Sequence, residues 1–199
     1  MTVKQLIQES IDVKTKILSD EVLLETIERI GEELKHVYGS KGKLMIAGNG
    51  GSAADAQHFA AEITCQFLER RKGRSALALS TDTSALTAWS NDHSYESVFS
   101  RLVEALGVAG DALVVISTSG NSKNLIQAAI TARKMGIKVY GLLGHEGGSL
   151  RELCDLSVVV PSKETPRIQE SHILVIHILC GILDEFFFHE DSSLSPVHE

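Results

Sequence analysis

The sequence predicts an α/β fold: a single doubly wound, open, parallel five-stranded sheet with helices on both faces and an amino-terminal helical extension. Three observations carry this. Short apolar runs alternate with stretches of helical period. The apolar runs are continuous rather than alternating, as expected of strands covered on both faces. Two turns rich in glycine and serine each follow an apolar run and precede a helical stretch, which is where such sheets bind ligands.

The bulk properties fit one unit. The chain has 199 residues, 43% of them hydrophobic, and no composition break or linker divides it. A formal charge of -7 disfavours a non-specific nucleic-acid partner. No stretch reaches the roughly 18 uninterrupted apolar residues of a membrane span, and the first residues do not read as a secretory signal. Cys65, Cys154 and Cys180 form no C-x-x-C pair and read as small buried hydrophobes of a reducing compartment.

The elements follow in order. Residues 3–37 carry a helical period through Leu6, Ile7, Ile11, Val13, Ile17, Leu18, Val22, Leu23, Ile27 and Ile30. The Ser19-Asp20 pair divides this stretch, with Asp20 as a helix cap. We expect residues 1–36 to pack on the core or on a neighbouring subunit, residues 37–190 to form the ligand-binding domain, and 191–199 to be a polar tail. Lys43–Ala47 reads as a strand and Ala53–Arg70 as a helix. Ser75–Ser80 is a second strand, turning at Thr81-Asp82-Thr83 into a short helix, Ser84–Trp89. Tyr95–Leu106 is a helix ended by Gly107. Ala112–Ile116 is a strand, Leu125–Lys134 a helix stopped by Gly136, and Lys138–Leu143 a strand. A short helix at Ser149–Cys154 and a strand at Leu156–Val160, closed by Pro161, precede a final helix over about Arg167–Phe187.

The chemistry concentrates in two loops and two helices. Gly48-Asn49-Gly50-Gly51-Ser52 follows the first strand, where backbone amides converge at a helix start and favour an anion. Ser117-Thr118-Ser119-Gly120-Asn121-Ser122 follows the third strand and sets four hydroxyls before another helix. Neither loop has the Gly-Lys-Ser/Thr of a nucleotide-binding loop or the G-x-G-x-x-G of a dinucleotide fold. Each is also compatible with an ordinary polar strand-to-helix turn. One turn past Ser52, His58 and Glu62 stand four residues apart, on one helix face. That spacing serves a metal or proton-transfer pair, or merely a helix-stabilising pair. Gln169, Ile173 and His177 share a face of the last helix. His177 lies in apolar surroundings and needs a partner: a metal, an acid–base role or a backbone carbonyl. A His, Glu, His and Gln set suits a zinc-type ion. On a straight helix, however, Gln169 and His177 stand about 12 Å apart along the axis. Either Gln169 precedes the first regular turn, or the ligands come from different subunits.

With these motifs in place, the chain resembles the SIS (sugar isomerase) domain family and, within it, the phosphoheptose isomerases. The resemblance rests on Ala47–Ser52, His58-Phe-Ala-Ala-Glu62, Asn91-Asp92, Ser117–Ser122, Gly147-Gly148, and Arg167-Ile-Gln-Glu170 with His177, and runs to about Phe187. It implies a cytoplasmic homotetramer, and the apolar terminal helices and the Gln169–His177 spacing point to active sites at its subunit interfaces. It also implies conversion of sedoheptulose 7-phosphate to D-glycero-D-manno-heptose 7-phosphate through a cis-enediol. By resemblance, His58, Glu62, Gln169 and His177 bind zinc, about one ion per subunit, and Glu62 and His177 transfer protons. Asn49, Gly50, Gly51, Ser52, Asn91, Asp92, Ser117, Thr118, Ser119, Ser122, Glu62 and Gln169 meet the sugar phosphate. Two positions depart from the family pattern: Gln66, where an arginine is frequent, and Pro166, where some members carry aspartate. The alternatives are another sugar-phosphate isomerase and a non-catalytic SIS protein that binds a replication initiator.

Overall fold

In the computed structural model, which describes residues 2–193, two helices precede the sheet. The first, α1 (Val3–Leu18), opens with a capping box: Gln5 N donates to Thr2 Oγ1, and Thr2 N donates to the Gln5 side chain. The second, α2 (Glu21–Gly39), is capped by Asp20, whose carboxylate accepts Leu23 N at 3.0 Å. Their roles differ. α2 buries Leu23, Ile27, Ile30, Leu34 and Val37 on one stripe, whereas α1 buries only Val13 and Ile17. Leu6, Ile7, Ile11 and Leu18 of the same period stand exposed, as do Val3 and Val22.

Five parallel strands follow: β1 (Leu44–Gly48), β2 (Ala76–Ala78), β3 (Ala112–Ser117), β4 (Lys138–Leu143) and β5 (Leu156–Val159), in the spatial order β2-β1-β3-β4-β5. Successive side chains point to opposite faces, and each face has its own core. Leu44 and Ile46 of β1 pack with α2, with α3 (Gly51–Thr64) and with α8 (Thr165–Ser193). Met45 and Ala47 face the other layer, which includes α5 (Val98–Leu106) and α6 (Lys123–Lys134). The strand order reverses between β1 and β3, so the carboxyl ends of these two neighbours form the topological switch point. The two glycine- and serine-rich loops leave β1 and β3 at that point.

Several boundaries differ from expectation. The helix after β1 stops at Thr64 rather than Arg70. The Arg71 guanidinium donates to the carbonyls of Glu62 and Ile63, which a longer helix would use for its own amides. As an edge strand, β2 pairs only over Ala76–Ala78. Asp82 belongs to a cap rather than a free turn: it accepts Ala85 N and starts α4 (Thr83–Asp92). Tyr95–Ser97 is a 3-10 turn before α5. The helix after β4, α7, is a single turn at Gly148–Arg151 rather than Ser149–Cys154. At the carboxyl end α8 reaches Ser193, so the expected tail is helical over 191–193; 194–199 lie outside the described residues. Pro166 sits in the first turn of α8, where a missing amide costs nothing. One cysteine departs from expectation as well. Cys65 is exposed at the end of α3, while Cys180 is buried and burial pushes the Cys154 thiol up to about 12.

Among the described residues, α8 alone is long and apolar enough to cross a membrane. Its hydrophobicity has another use here. It packs along α2 and α3, and Val175, Ile176, Leu179, Leu183 and Phe187 are fully buried there.

Candidate active site

The switch point holds two loops that lock to each other. Asn49, just past β1, and Asn124, in the first turn of α6, face each other as a reciprocal amide pair. Asn49 Nδ2 donates to Asn124 Oδ1 at 3.0 Å and Asn124 Nδ2 to Asn49 Oδ1 at 2.9 Å. Asn124 Oδ1 also accepts Leu125 N, and Tyr95 Oη donates to Asn49 Oδ1 at 2.8 Å. Amides paired in this way, one buried and one half-buried, fix both loops in one register. Neither Asn124 nor Tyr95 was singled out from the sequence, since they meet Asn49 only in the folded chain.

The first loop turns tightly into α3. Gly50 takes φ +57 as the helix cap, and the Ser52 and Ala53 amides bond back to the Asn49 and Gly50 carbonyls. Those two amides are therefore used within the turn. No side chain caps α3. Ser52 is buried, and Gln169 from α8 lies directly over Gly51, where a β-carbon would collide with its amide.

In the second loop, Ser117 closes β3 and its Oγ accepts Gly120 N at 3.1 Å and lies 3.3 Å from Ser122 Oγ. Gly120 adopts φ +67 against the Gly147 carbonyl, so only a residue without a side chain fits. Ser119 Oγ accepts Asn121 N, and Thr118 and Ser119 remain open to solvent in part or fully. Ser122 stands at the amino end of α6 without using its side chain as a cap. The adjacent Lys123 is paired to Glu96 at 2.8 Å. Asn91 and Asp92 close α4, are exposed, and bond to each other at 2.9 Å.

The second constellation lies further along α3. His58 Nε2 is 3.0 Å from Glu62 Oε1 and 3.1 Å from His177 Nε2. The three ligand atoms all fall within 4.8 Å of one another. Two imidazole nitrogens cannot face each other at this distance with both lone pairs inward. A proton or a cation must sit among them. Two nitrogens and a carboxylate oxygen form a donor set that fits a divalent metal of the zinc type. Phe67 stacks on the His177 ring, with centroids 5.7 Å apart. Asp55, one turn before His58, has its carboxyl raised by burial, an effect His58 opposes.

Gln169 does not precede the first turn of α8. It lies inside the helix, eight residues before His177 and about 12 Å from it along the axis. The α3 and α8 helices run side by side in the same sense, with Gly51 beside Gln169 and His58 beside His177. One chain thus presents the loops and Gln169 at one end of this helix pair, and the His58, Glu62 and His177 cluster at the other. Sequence reasoning also passed over His172. It is fully buried and bonds the Leu143 carbonyl at 3.0 Å through Nε2, while its Nδ1 has no hydrogen-bond partner.

This sheet order, with glycine- and serine-rich loops at its switch point, accords with an SIS domain, and the SIS domain family profile matches residues 8–144. The chain is 51% identical to a phosphoheptose isomerase of Aneurinibacillus thermoaerophilus over 186 residues, covering 94% of each protein. It is 49% identical to one from Helicobacter pylori strain P12, over 94% of this chain and 93% of that one. The phosphoheptose isomerase structure from Neisseria gonorrhoeae superposes with a TM-score of 0.86 at 44% identity, covering 92% of this chain and 97% of that one. That from Francisella tularensis gives 0.88 at 33% identity, covering 93% and 100%. The chain belongs to the SIS domain family and, within it, to the phosphoheptose isomerases.

Proposed function

We propose that this phosphoheptose isomerase converts sedoheptulose 7-phosphate to D-glycero-D-manno-heptose 7-phosphate through a cis-enediol, with Glu62 as carbon base and His177 as oxygen acid–base. The observation that carries the assignment is the convergence of His58, Glu62 and His177 within 4.8 Å. The Glu62 carboxylate removes a proton from C1 of the ketose and the proton is returned to C2. His177 passes a proton to O2 as the carbonyl becomes a hydroxyl and takes one from O1 as the aldehyde forms. Ser52, Ser117, Thr118, Ser119 and Ser122, with the amides of Asn49, Gly50 and Gly51, seat the phosphate far from the reacting carbons and so supply orientation. Asn91 and Asp92 are assigned to sugar hydroxyls.

His58, Glu62 and His177 would hold a zinc ion, about one per subunit, with Gln169 contributed across a subunit interface. When bound, the ion supplies Lewis-acid polarisation of the substrate oxygens.

Geometry supports shared sites. Gly51 and Glu62 are eleven residues apart on α3, about 16 Å along its axis. That exceeds the run from phosphorus to C1 in an extended heptose phosphate. That span favours a reading in which the phosphate seat and the Glu62 that meet one substrate belong to different chains, in a homotetramer of a cytoplasmic enzyme of carbohydrate metabolism.

The test is incubation of chelator-free protein with sedoheptulose 7-phosphate, identification of the product, and parallel metal analysis. The expected result is the manno-configured heptose 7-phosphate, about one zinc per chain, and activity lost on chelation and restored by zinc. Formation of a different sugar phosphate would overturn the substrate assignment. Full activity in metal-free protein would overturn the role of the ion.

A further inference from the structure

We propose that Arg71 and Asp184 are positioning residues for the isomerisation: through the segment 65–74 they hold Glu62 and His177 at their working separation. This rests on the reading of Glu62 and His177 as the proton-transfer pair.

Two residues after Glu62, α3 ends, so its last turn needs an external hold. Arg71 provides it. Its side chain is 0% exposed, and its guanidinium donates to the Glu62 carbonyl at 2.9 Å, to the Ile63 carbonyl at 3.0 Å and to Asp184 Oδ1 at 2.5 Å. Asp184, 2% exposed, takes the Leu68 and Glu69 amides on its other oxygen, at 3.0 and 2.7 Å. On α8, Asp184 stands seven residues after His177, two turns along the same face. A continuous run of short contacts therefore joins the backbone of Glu62 to the helix that carries His177. The segment also acts on His177 directly, through the ring of Phe67 stacked on the imidazole.

Burying a guanidinium and a carboxylate carries a desolvation cost, and a helix end can be closed without charge. What this pair adds is geometry: a planar fork that bonds two carbonyls and a carboxylate at once fixes direction as well as distance. The segment is docked independently further on. Arg74 bonds Glu190 and Asp191 at 2.9 Å each, and the Lys72 amide bonds Asp191. Both guanidinium groups lie 4.9 Å from the centre of the Phe187 ring. Loss of the Arg71 fork thus leaves the segment attached but the last turn of α3 without its hold.

The experiment uses zinc-supplemented full-length protein, with kcat and KM for sedoheptulose 7-phosphate measured for three variants beside Glu62→Gln. Arg71→Lys keeps a cation for Asp184 but cannot reach both helix carbonyls. Phe67→Leu removes the ring face. The double change Arg71→Met with Asp184→Leu replaces the buried pair by apolar groups, which tends to preserve folding. For Arg71→Lys and the double variant, kcat should fall on the order of 10- to 100-fold with KM within about twofold, because only the reacting end moves. Phe67→Leu should lose less, with the same split. Circular dichroism and melting curves establish that each variant is folded. A folded double variant with unchanged kcat overturns the proposal. So does a loss that appears in KM as much as in kcat, which would indicate general loosening. If Glu62→Gln turns over normally, the catalytic assignment fails instead, whatever the Arg71 variants do.

Discussion

Glu62 is held at two ends: its carboxylate faces His58 and its carbonyl faces Arg71. The Glu62→Gln change keeps the size and the backbone bond and removes the carboxylate. It should abolish isomerisation while leaving sugar-phosphate binding measurable by calorimetry; near-normal turnover would exclude Glu62 as the essential base. His172 yields a prediction of another kind. Burial pushes its imidazole down to about 4 from the usual 6.5, against the Leu143 carbonyl that favours the charged form. Above pH 6.5 the ring is neutral in both states and nothing is lost. As pH falls from 6.5 to 4 the unfolded chain takes up a proton that the folded one refuses. Stability should therefore drop by up to about 3 kcal/mol over that window. Urea melts across this range should show the slope, and His172→Gln should flatten it; an identical slope in the variant would refute the assignment. At this scale the sequence was legible only locally. The four-residue step from His58 to Glu62 implies one helix face, and their side chains do meet. That His177 joins them, from well over a hundred residues away, is a product of helix packing.

At the scale of elements, α3 works as a ruler, with the loop and Ser52 at its start and Glu62 near its end. The serine loop before α6 is the second fixed point. Replacing Ser119 and Ser122 by alanine should weaken sugar-phosphate binding by about 1–3 kcal/mol per charge-assisted bond lost. Calorimetric titration of the double variant tests this, and unchanged affinity would remove this loop as the phosphate seat. The strands were readable because continuous apolar runs of four to six residues have few other uses. The end of α3 was not. Gln66, Leu68, Glu69 and Arg70 are good helix formers, and local propensity continues the helix through them. Arg71 overrides that preference by occupying the carbonyls of Glu62 and Ile63, and Asp184 binds the amides of Leu68 and Glu69.

For the whole molecule, the decisive feature is what one chain leaves uncovered. Leu6, Ile7, Ile11 and Leu18 lie on a helix that buries only Val13 and Ile17. Covering this surface between copies removes apolar area from water, and a closed assembly of D2 symmetry does so without leaving an open end. Light scattering at micromolar concentration should give four times the 21.6 kDa chain mass. A stable, fully active monomer would sink both the tetramer and the shared site.

By itself the sequence determined the layer architecture, the placement of the two glycine- and serine-rich loops and the family, because periodicity, glycine placement and short motifs are local properties of the chain. The tertiary structure decided which strands neighbour one another, and so that the loops after β1 and β3 meet and lock through Asn49 and Asn124. It also decided that His58, Glu62 and His177 share one point while Gln169 lies at the other end of the helix pair. These outcomes depend on strand order and on the parallel packing of α3 against α8. Both are set by the burial of two hydrophobic cores over the whole chain, which no local spacing encodes.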